Sequence, residues 1–371
     1  NNLSVQPNVC GSFMASLLRP VALALCAAGV MLFSVPSFSA TAENPAQVTN
    51  GTAKKTKRAT LTPIAAKKTV KKASAKKTAV KKVRKGRAVR TKAKNRAVSR
   101  GPSQAALAGL HKTVDWLSLG SSVAYAVDQD TGEELYEKNA DVSLPIASIT
   151  KLMTALVIAE SDLPMNQKLR VTREDYVRSR ASSKLRSGMV LTRKALLQMA
   201  LMSSDNRAAH VLARTYPGGK KAFVAKMNEK AREIGMQDAF FADPTGLDNR
   251  NRATARDIGR LASAVHRYEE LSELSTAPVA RVRAGKRTLT MKTTNRLIGD
   301  PDWEIGVQKT GFTTAAGRCM VVQTERRIVF VVLDSPNNNQ RALDMKTMKS
   351  YVEAESRFSN GFGHVMPYAI F

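Results

Sequence analysis

A serine and a lysine three positions apart offer a way to make a hydroxyl group nucleophilic. Ser148 and Lys151 lie in a segment with helical spacing of apolar residues, so both side chains are expected on one helix face. A serine hydroxyl needs a base within hydrogen-bonding distance. Lysine can be that base only when burial and a nearby positive charge lower its pKa. The pair therefore predicts covalent catalysis on Ser148, with Lys151 as the general base.

A Ser-Asp-Asn motif begins 56 residues after Ser148, just beyond a predicted helix that ends near residue 202. Ser204 is placed to relay a proton to a leaving amine. The Asn206 side chain offers both a donor and an acceptor, so it can hold a substrate carbonyl and Lys151 together. The second motif thus supplies the proton transfer and positioning that the first motif lacks.

A Lys-Thr-Gly motif begins 105 residues after Ser204 and precedes a predicted hairpin. Lys309 is expected to be the second positive charge that lowers the pKa of Lys151. Lys309, Thr310 and Thr313 are predicted to lie on or beside an edge strand, which can pair with a peptide while binding its carboxylate. The three motifs in this order are the signature of class A β-lactamases and penicillin-binding proteins.

The helices and strands expected around the three motifs indicate a mixed α and β domain over residues 103–371. The periodicity predicts helices over about 148–160, 192–202, 220–234 and 338–353, and hairpins over about 123–136 and 317–333. Thr192 is expected to cap the second helix. Since strands occur near both ends of this region and helices lie between them, one antiparallel sheet completed by the two ends is expected.

The region 120–355 resembles the D-alanyl-D-alanine carboxypeptidase/endopeptidase family of low-molecular-mass penicillin-binding proteins. Beyond the three motifs, the similar stretches are Leu-Pro-Ile-Ala-Ser-Ile-Thr-Lys-Leu-Met-Thr at 144–154, Asp-Pro-Thr-Gly-Leu at 243–247, Thr-Ala-Arg-Asp-Ile at 254–258 and Lys-Thr-Gly-Phe-Thr at 309–313. Ser-Asp-Asn-Arg-Ala-Ala at 204–209 and Tyr-Pro-Gly-Gly at 216–219 are most similar to the endopeptidase branch, the penicillin-binding protein 7 type. The resemblance implies an α+β serine β-lactamase/DD-peptidase-like fold, in which helices flank an antiparallel sheet and form a helical subregion.

The resemblance also implies a reaction and its partners. An acyl-enzyme on Ser148 would hydrolyse D-alanyl crosslinks in peptidoglycan peptides, and β-lactams would acylate the same serine as covalent inhibitors. The backbone N–H groups of Ser148 and Phe312 would form the oxyanion hole. The residues expected to bind substrate are Asn206, Lys309, Thr310, Gly311, Phe312 and Thr313. The leading expectation is therefore a serine DD-endopeptidase.

Three other functions remain as alternatives. The same machinery could act as a D-alanyl-D-alanine carboxypeptidase that trims pentapeptide stems. A class A β-lactamase uses an additional glutamate to activate the deacylating water, and the sequence offers no convincing counterpart. A non-catalytic wall- or membrane-binding protein would rely on its basic segment instead. Only 18 residues follow Glu353, which favours the endopeptidase branch over relatives with a second β-rich domain and a C-terminal anchor.

The net charge of +29 comes mainly from one segment, because residues 51–100 contain 20 Lys and Arg and no Asp or Glu. Residues 43–102 are therefore predicted to form a disordered basic arm, and a uniformly basic nucleic-acid-binding globule is not expected. An apolar run at 21–33 followed by small residues predicts an extended N-terminus and signal peptide over 1–42, with an uncleaved N-terminal anchor as the alternative. Either segment would export the protein, so a periplasmic location is expected. An exported arm favours anionic lipid, lipopolysaccharide or the cell wall as its partner over nucleic acid.

The histidines and cysteines of this sequence predict neither a metal site nor a cofactor. His111, His210, His266 and His364 are far apart, and no His-Glu-x-x-His spacing or glycine-rich phosphate loop occurs. His210 is interpreted as structural although it lies near the Ser-Asp-Asn motif. Cys319 lies in a predicted buried strand, so it is interpreted as a packing residue rather than a nucleophile.

Overall fold

The computed structural model describes residues 101–179 and 181–361, with side chains up to residue 356. The predicted signal peptide at 1–42 and nearly all of the predicted arm at 43–102 lie outside the described residues and stay predictions. Within the described ranges, no helix combines the length and the apolar composition needed to span a bilayer.

Helices and strands of the described residues are numbered in chain order. The helices are α1 (Gln104–Leu107), α2 (Thr150–Ala159), α3 (Arg193–Met202), α4 (Asn206–Arg214), α5 (Gly219–Glu233), α6 (Ala255–His266), α7 (Glu269–Thr276) and α8 (Asn338–Gly361). The strands are β1 (Val123–Asp128), β2 (Glu134–Lys138), β3 (Leu144–Pro145), β4 (Lys168–Arg170), β5 (Val190–Thr192), β6 (Arg252–Ala253), β7 (Val279–Ala284), β8 (Arg287–Lys292), β9 (Ile305–Thr313), β10 (Gly317–Thr324) and β11 (Ile328–Ser335).

The main sheet joins the two ends of the described region. Its strand order is β2-β1-β11-β10-β9, and every neighbouring pair is antiparallel. The first strand, β1, pairs with the last strand, β11, from Val123 opposite Leu333 to Asp128 opposite Ile328. The prediction of one sheet completed by both ends is confirmed. The strand that carries the Lys-Thr-Gly motif, β9, lies at one edge of this sheet.

Alternate residues of the central strands face two apolar clusters, one on each side of the sheet. On β11, Val329 and Val331 belong to the cluster that includes residues of α2 and α6. Phe330 and Val332 belong to the other cluster, together with Met345 of α8. The sheet is therefore buried on both faces, which explains why its central strands read as continuous apolar runs.

Helix α2 is the most deeply enclosed helix near the site. Every residue from Thr150 to Ile158 is buried, because α6 covers one side and α3, α4 and α5 form a helical subregion on the other. A helix surrounded in this way is expected to be apolar all round. Any polar side chain on α2 is thus removed from water by the fold itself.

Two predicted helix boundaries differ from the structure. The helix predicted from residue 148 begins at Thr150, because Ala147–Ile149 forms a 3-10 turn in which Ala147 has a φ of +47°. The last helix continues beyond the predicted end at residue 353 to Gly361, since no glycine or proline interrupts it earlier. Thr192 caps α3 as predicted by accepting a hydrogen bond from the Ala195 amide.

Candidate active site

The predicted nucleophile lies in a short turn between β3 and α2. Ser148 follows Ala147, which holds a left-handed backbone conformation that is unusual for a residue with a side chain. The loop at 243–247 packs directly against this turn: a Cβ added to Gly246 would lie 1.8 Å from the Ala147 carbonyl oxygen. Backbone strain of this kind persists only where neighbouring structure enforces it. The conformation of this turn is therefore maintained by contact with the 243–247 loop rather than by α2.

Lys151 reaches Ser148 from the first turn of α2 and makes three polar contacts. Its Nζ atom lies 2.9 Å from Ser148 Oγ, 2.7 Å from Asn206 Oδ1 and 2.6 Å from the Thr245 carbonyl oxygen. The two carbonyl-type oxygens can only accept hydrogen bonds. A neutral amine keeps two N–H bonds for them, which leaves its lone pair directed at the Ser148 hydroxyl. The geometry thus suits a base that takes the hydroxyl proton.

Burial lowers the pKa of Lys151 to about 7. The side chain is fully buried, so loss of hydration penalises its charged form. The negative charges of Asp243 and Asp205 oppose this change and raise the pKa. An amine with such a pKa is substantially neutral at neutral pH, which is the range where a general base is most effective.

Lys309 occupies the neighbouring edge strand. Burial and the positive charges of Lys151 and Arg341 hold its pKa well below the ordinary lysine value. The sequence predicted that Lys309 would lower the pKa of Lys151. Repulsion between two ammonium groups acts on both of them, so it agrees with this role, while burial is the largest cause at Lys151. The Lys309 Nζ atom donates a hydrogen bond to the Thr310 carbonyl at 2.7 Å.

Gly311 allows the edge strand β9 to pass close to the nucleophile turn. A Cβ at this position would lie 3.0 Å from the Ser148 amide nitrogen and 3.1 Å from the Ile146 carbonyl oxygen. A larger residue would fit only if β9 or the nucleophile turn moved by a few tenths of an ångström. The glycine of the Lys-Thr-Gly motif therefore favours this close approach.

A cavity of about 860 Å³ opens above these groups. The predicted site residues that line it are Ser148, Ser204, Asn206, Thr310, Gly311, Phe312 and Thr313. Lys151 and Lys309 are fully buried. The structure therefore brings all nine predicted site residues to one place. Arg178 and Arg341 also line the cavity, and its lining contains no Asp or Glu.

Ser204 borders the cavity at the start of α4. It has a φ of +58°, so a second non-glycine residue at this site adopts a left-handed conformation. The next residue, Asp205, caps α4 by accepting a hydrogen bond from the Ala208 amide at 3.0 Å. This cap fixes the direction in which the chain leaves Ser204, and Asn206 then points to Lys151 from the first turn of α4.

The loop between β4 and β5 is held beside the cavity by two polar clusters. Its Asp175 carboxylate is fully buried and contacts His210 at 3.0 Å and Arg214 at 2.8 Å on α4. Further along the loop, the Ser183 hydroxyl donates to the Asp205 carboxylate at 2.8 Å. His210 thus positions a loop, in agreement with its interpretation as structural.

Several groups at the site gave no usable signal in the sequence. The Thr245 contact comes from a main-chain carbonyl, and Thr294 is a lone threonine whose Oγ1 lies 2.6 Å from Thr310 Oγ1. Arg341, in the first turn of α8, lies outside the three motifs and donates to the Cys319 carbonyl at 3.1 Å. Its Nε atom has no hydrogen-bond partner among the described residues, and burial lowers its pKa to about 10. A buried arginine at a cavity without carboxylates is suited to bind an anion.

Cys319 lies close to this arginine but has no chemical role in the geometry. The thiol is fully buried on β10 and donates to the Ala316 carbonyl at 3.5 Å. Burial raises its pKa to about 12, so the thiolate is not formed at neutral pH. The prediction of a buried packing residue is confirmed.

Residues 111–337 match the family model described as D-alanyl-D-alanine carboxypeptidase. The chain belongs to this family. The match contains the Ser148 turn, the Ser-Asp-Asn motif and the Lys-Thr-Gly motif. The resemblance seen in the sequence is therefore confirmed.

Other members of this D-alanyl-D-alanine carboxypeptidase family include relatives that carry the endopeptidase name. A D-alanyl-D-alanine endopeptidase of Pseudomonas aeruginosa is 42% identical over 241 residues, which cover 63% of this chain and 78% of that protein. A D-alanyl-D-alanine endopeptidase of Escherichia coli is 36% identical over 277 residues, covering 73% of this chain and 87% of that protein.

Solved structures of family members confirm the fold class. A mutant of the Streptomyces K15 DD-transpeptidase superposes with a TM-score of 0.60 at 29% identity, covering 64% of this chain and 98% of that one. Penicillin-binding protein D2 of Listeria monocytogenes, bound to ampicillin, gives a TM-score of 0.57 at 28% identity, covering 64% of this chain and all of that one. The fold is the serine β-lactamase/DD-peptidase-like fold, with an antiparallel sheet, flanking helices and a helical subregion.

Proposed function

We infer that this protein is a serine D-alanyl-D-alanine endopeptidase that hydrolyses crosslinks between peptidoglycan peptides. The observation that carries this inference is the contact between Ser148 Oγ and Lys151, a buried lysine with a pKa of about 7, at the floor of a cavity beside the edge strand β9. The relatives from P. aeruginosa and E. coli support the endopeptidase assignment by their names.

The first half of the reaction forms an acyl-enzyme. Neutral Lys151 takes the hydroxyl proton of Ser148, and Oγ attacks the carbonyl carbon of the D-alanyl residue. The bond between that carbon and the crosslink nitrogen then breaks. The leaving amine takes up a proton through Ser204, and Lys151 supplies the replacement, so that it is neutral again. The product is an ester on Ser148 and a free amine.

The second half hydrolyses this ester. A water molecule gives a proton to Lys151 and attacks the ester carbonyl carbon. The bond between that carbon and Oγ then breaks, and Lys151 returns the proton to Oγ. This restores the Ser148 hydroxyl and neutral Lys151, and the D-alanyl acid leaves and ionises in water. In both halves the negative charge on the carbonyl oxygen would be stabilised by the backbone N–H groups of Ser148 and Phe312. The close approach of β9 to the Ser148 amide supports this assignment, because it places the two segments side by side.

The substrate peptide would bind along β9. An edge strand can extend its hydrogen-bonding pattern to a peptide, and the same strand carries Lys309, Thr310 and Thr313. Asn206 would hold the peptide carbonyl on the other side of the cavity. Arg341 would attract the carboxylate beside the scissile bond, since it lines the cavity and its Nε lacks a partner in the described residues.

β-Lactams would acylate Ser148 by the same steps, since their amide carbonyl occupies the position of the scissile D-alanyl carbonyl. Penicillin-binding protein D2 of L. monocytogenes has been solved in ampicillin-bound and cefotaxime-bound forms, which supports this proposal. We further propose a periplasmic location, with residues 1–42 as signal peptide. The arm at 43–102 would then contact anionic lipid, lipopolysaccharide or the cell wall.

A second candidate function is carboxypeptidase activity on pentapeptide stems. It is favoured by the description of the matching family and by a Bacillus subtilis relative named D-alanyl-D-alanine carboxypeptidase, which is 29% identical over 237 residues. Both reactions attack a D-alanyl carbonyl, and they differ only in the amine that leaves.

One digest separates the two functions. The full chain and its Ser148→Ala variant would each receive equal amounts of a crosslinked muropeptide dimer and a pentapeptide monomer, with products followed by mass spectrometry. We expect the dimer to be cut first, and only when Ser148 is present. Faster loss of D-alanine from the pentapeptide would make carboxypeptidase the correct activity, and intact substrates would contradict both.

A further inference from the structure

The positive charge of the described domain is concentrated in two segments. Residues 176–189 and 277–299 together contain ten Lys and Arg and no Asp or Glu. Residues 103–371 as a whole contain 38 Lys and Arg against 29 Asp and Glu. The remainder of the domain is therefore nearly neutral, and its field is set by these two segments.

The second segment forms the hairpin of β7 and β8, which has one apolar and one basic face. Val282, Ala284 and Met291 are buried against the core. Arg281 and Arg283 alternate with them along β7 and are exposed. A two-residue period places the arginines together on the outer face of the hairpin.

The first segment joins this basic face. The Lys184 ammonium group donates a hydrogen bond to the Thr290 carbonyl on β8, and both Arg178 and Arg186 are exposed. We name the combined surface the basic rim. It consists of Arg178, Lys184, Arg186, Arg281, Arg283, Lys286, Arg287 and Lys292.

The side chains of the basic rim have no ion-pair partners in the described residues, although many other cations of the domain do. Lys194 pairs with Glu270, Lys230 with Glu160, and Arg256 with three carboxylates. Eight like charges without counter-charges repel one another, and a bound polyanion would relieve this repulsion.

The basic rim is continuous with the catalytic cavity. Lys184 and Lys292 line a second cavity of about 180 Å³ whose other walls include Ser204, Asp205 and Asn206. The Asp205 carboxylate accepts hydrogen bonds from the Ser183 hydroxyl and the Ala208 amide, and it makes no ion pair with either lysine in the described residues. Two residues after Lys292 the chain reaches Thr294, whose hydroxyl contacts Thr310. A ligand that lies across the nucleophile and continues past Ser204 therefore reaches the basic rim.

We propose that the basic rim binds the free carboxylates of acidic peptide stems in the crosslinked substrate. This inference rests on the proposed function and names the part of the substrate that lies outside the cavity. A membrane surface is a poorer ligand, because Lys184 and Lys292 are reached from within the cleft beside Ser204. The rim would favour polymeric, carboxylate-rich substrates over short neutral ones by raising the rate of encounter and lowering KM.

The test compares two triple variants of the full chain. Arg281→Gln with Arg283→Gln and Arg287→Gln removes three rim charges that make no ion pair in the described structure. The matched control is Lys220→Gln with Lys221→Gln and Arg232→Gln, three exposed cations of α5. The substrates are a crosslinked muropeptide dimer with free carboxylates and the same dimer with amidated carboxylates.

We expect the rim variant to lose about tenfold in kcat/KM on the acidic dimer at low ionic strength, mainly through a higher KM. The amidated dimer and the control variant should show no loss, and the difference should vanish in about 0.5 M salt. Equal losses on both dimers would overturn the proposal, as would no loss on either. Weaker binding of the rim variant to anionic lipid vesicles with unchanged kinetics would overturn it in favour of a membrane. If the unmodified chain cuts neither dimer, the proposed function fails instead.

Discussion

The two edges of the main sheet each bury a lysine, in opposite electrostatic surroundings. At the β2 edge, Lys138 is 3% exposed and its Nζ lies 2.7 Å from the Asp115 carboxylate and 2.9 Å from the Leu119 carbonyl. At the β9 edge, Lys309 is fully buried next to Lys151. Within the described residues, neither Lys309 nor Lys151 makes an ion pair.

The difference shows how one residue type serves structure at one edge and chemistry at the other. A carboxylate in contact favours the charged form of a buried lysine, so Lys138 and Asp115 form a structural ion pair. Lys138, Tyr136 and the Leu119 amide hold the pKa of Asp115 below its ordinary value. Without such a contact, burial favours the neutral amine, and Lys151 is available as a base. Four predictions break or sharpen this comparison.

The largest effect is expected from replacing either lysine with methionine, which keeps the length of the side chain. Lys151→Met removes the base and should lower the rate of β-lactam acylation by about 10²- to 10⁴-fold, with the stability unchanged or higher. Lys138→Met should leave acylation unchanged. It would leave the Asp115 carboxylate without its lysine partner, which lowers the free energy of unfolding by about 3 kcal/mol. Acylation kinetics and thermal unfolding would measure both. Equal losses of stability in the two variants would refute the distinction.

A smaller effect is expected from the glycine that presses on the nucleophile turn. Gly246 has a φ of +81° and no room for a Cβ, whereas Gly285 in the β7–β8 turn has a φ of +62° and open space around it. Gly246→Ala should displace the Ser148 turn and lower acylation by about 10²-fold, since misplacement of a reacting group by about 1 Å has that effect. Gly285→Ala carries only the backbone cost of about 1 kcal/mol. Equal acylation rates in the two variants would show that the contact between Gly246 and the nucleophile turn does not position Ser148.

Loss of the buried carboxylate that holds the β4–β5 loop should mainly affect stability. Asp175→Asn leaves Arg214 without its partner, so we expect a loss of about 3 kcal/mol and a modest drop in activity. His210, Arg214 and the Thr172 amide hold the pKa of Asp175 far below its ordinary value of 3.8. The carboxylate therefore contributes stability above that value, and the contribution is lost as the pH falls below it. Unfolding measured from pH 7 down to pH 3 should show the variant and the unmodified protein converging, and a constant gap would contradict this account.

The smallest effect is a shift in the pH profile of acylation. Below pH 7 the rate should fall about tenfold per unit, because only neutral Lys151 can accept the Ser148 proton. The Asp243 charge raises the pKa of Lys151, so Asp243→Asn should move the inflection to lower pH. Asp238→Asn, at an exposed position outside the site, serves as the control. An inflection that stays in place or moves upward would show that Asp243 does not act on Lys151 through its charge.

Local pattern was sufficient to predict the elements that carry the motifs. The apolar period of α2, the Thr192 cap and the alternation in β10 and β11 each depend on residues close in sequence. The hairpin of β7 and β8 was not predicted, because arginines alternate with small apolar residues and the segment as a whole is polar. The short helices α4, α6 and α7 were also not predicted, although Thr254 and Asp257 form a capping box that marks the start of α6.

The candidate site also has one part that local sequence predicts and another part that it does not. Its reacting side chains could be named from motif order: Ser148 and Ser204 line the cavity, and Lys151 is buried beside Ser148. Contacts that arise from tertiary packing could not be inferred: the Thr245 carbonyl, the Gly246 approach and the buried Arg341 depend on segments about a hundred or more residues from Ser148 or Lys151. The lowered pKa of Lys151 was expected from burial and a nearby positive charge, but sequence order does not show how deeply the side chain is buried.

The most direct test locates the acyl group and its pH dependence together. The full chain would be mixed with a β-lactam at several pH values, and the modified residue would be identified by peptide mass spectrometry. We predict one adduct, on Ser148, whose rate of formation has an inflection near pH 7 and is about 10²- to 10⁴-fold lower in Lys151→Met. An adduct on Ser204, or one that forms on Ser148 at the same rate without Lys151, would contradict the central claim that a buried lysine without a carboxylate partner activates this serine.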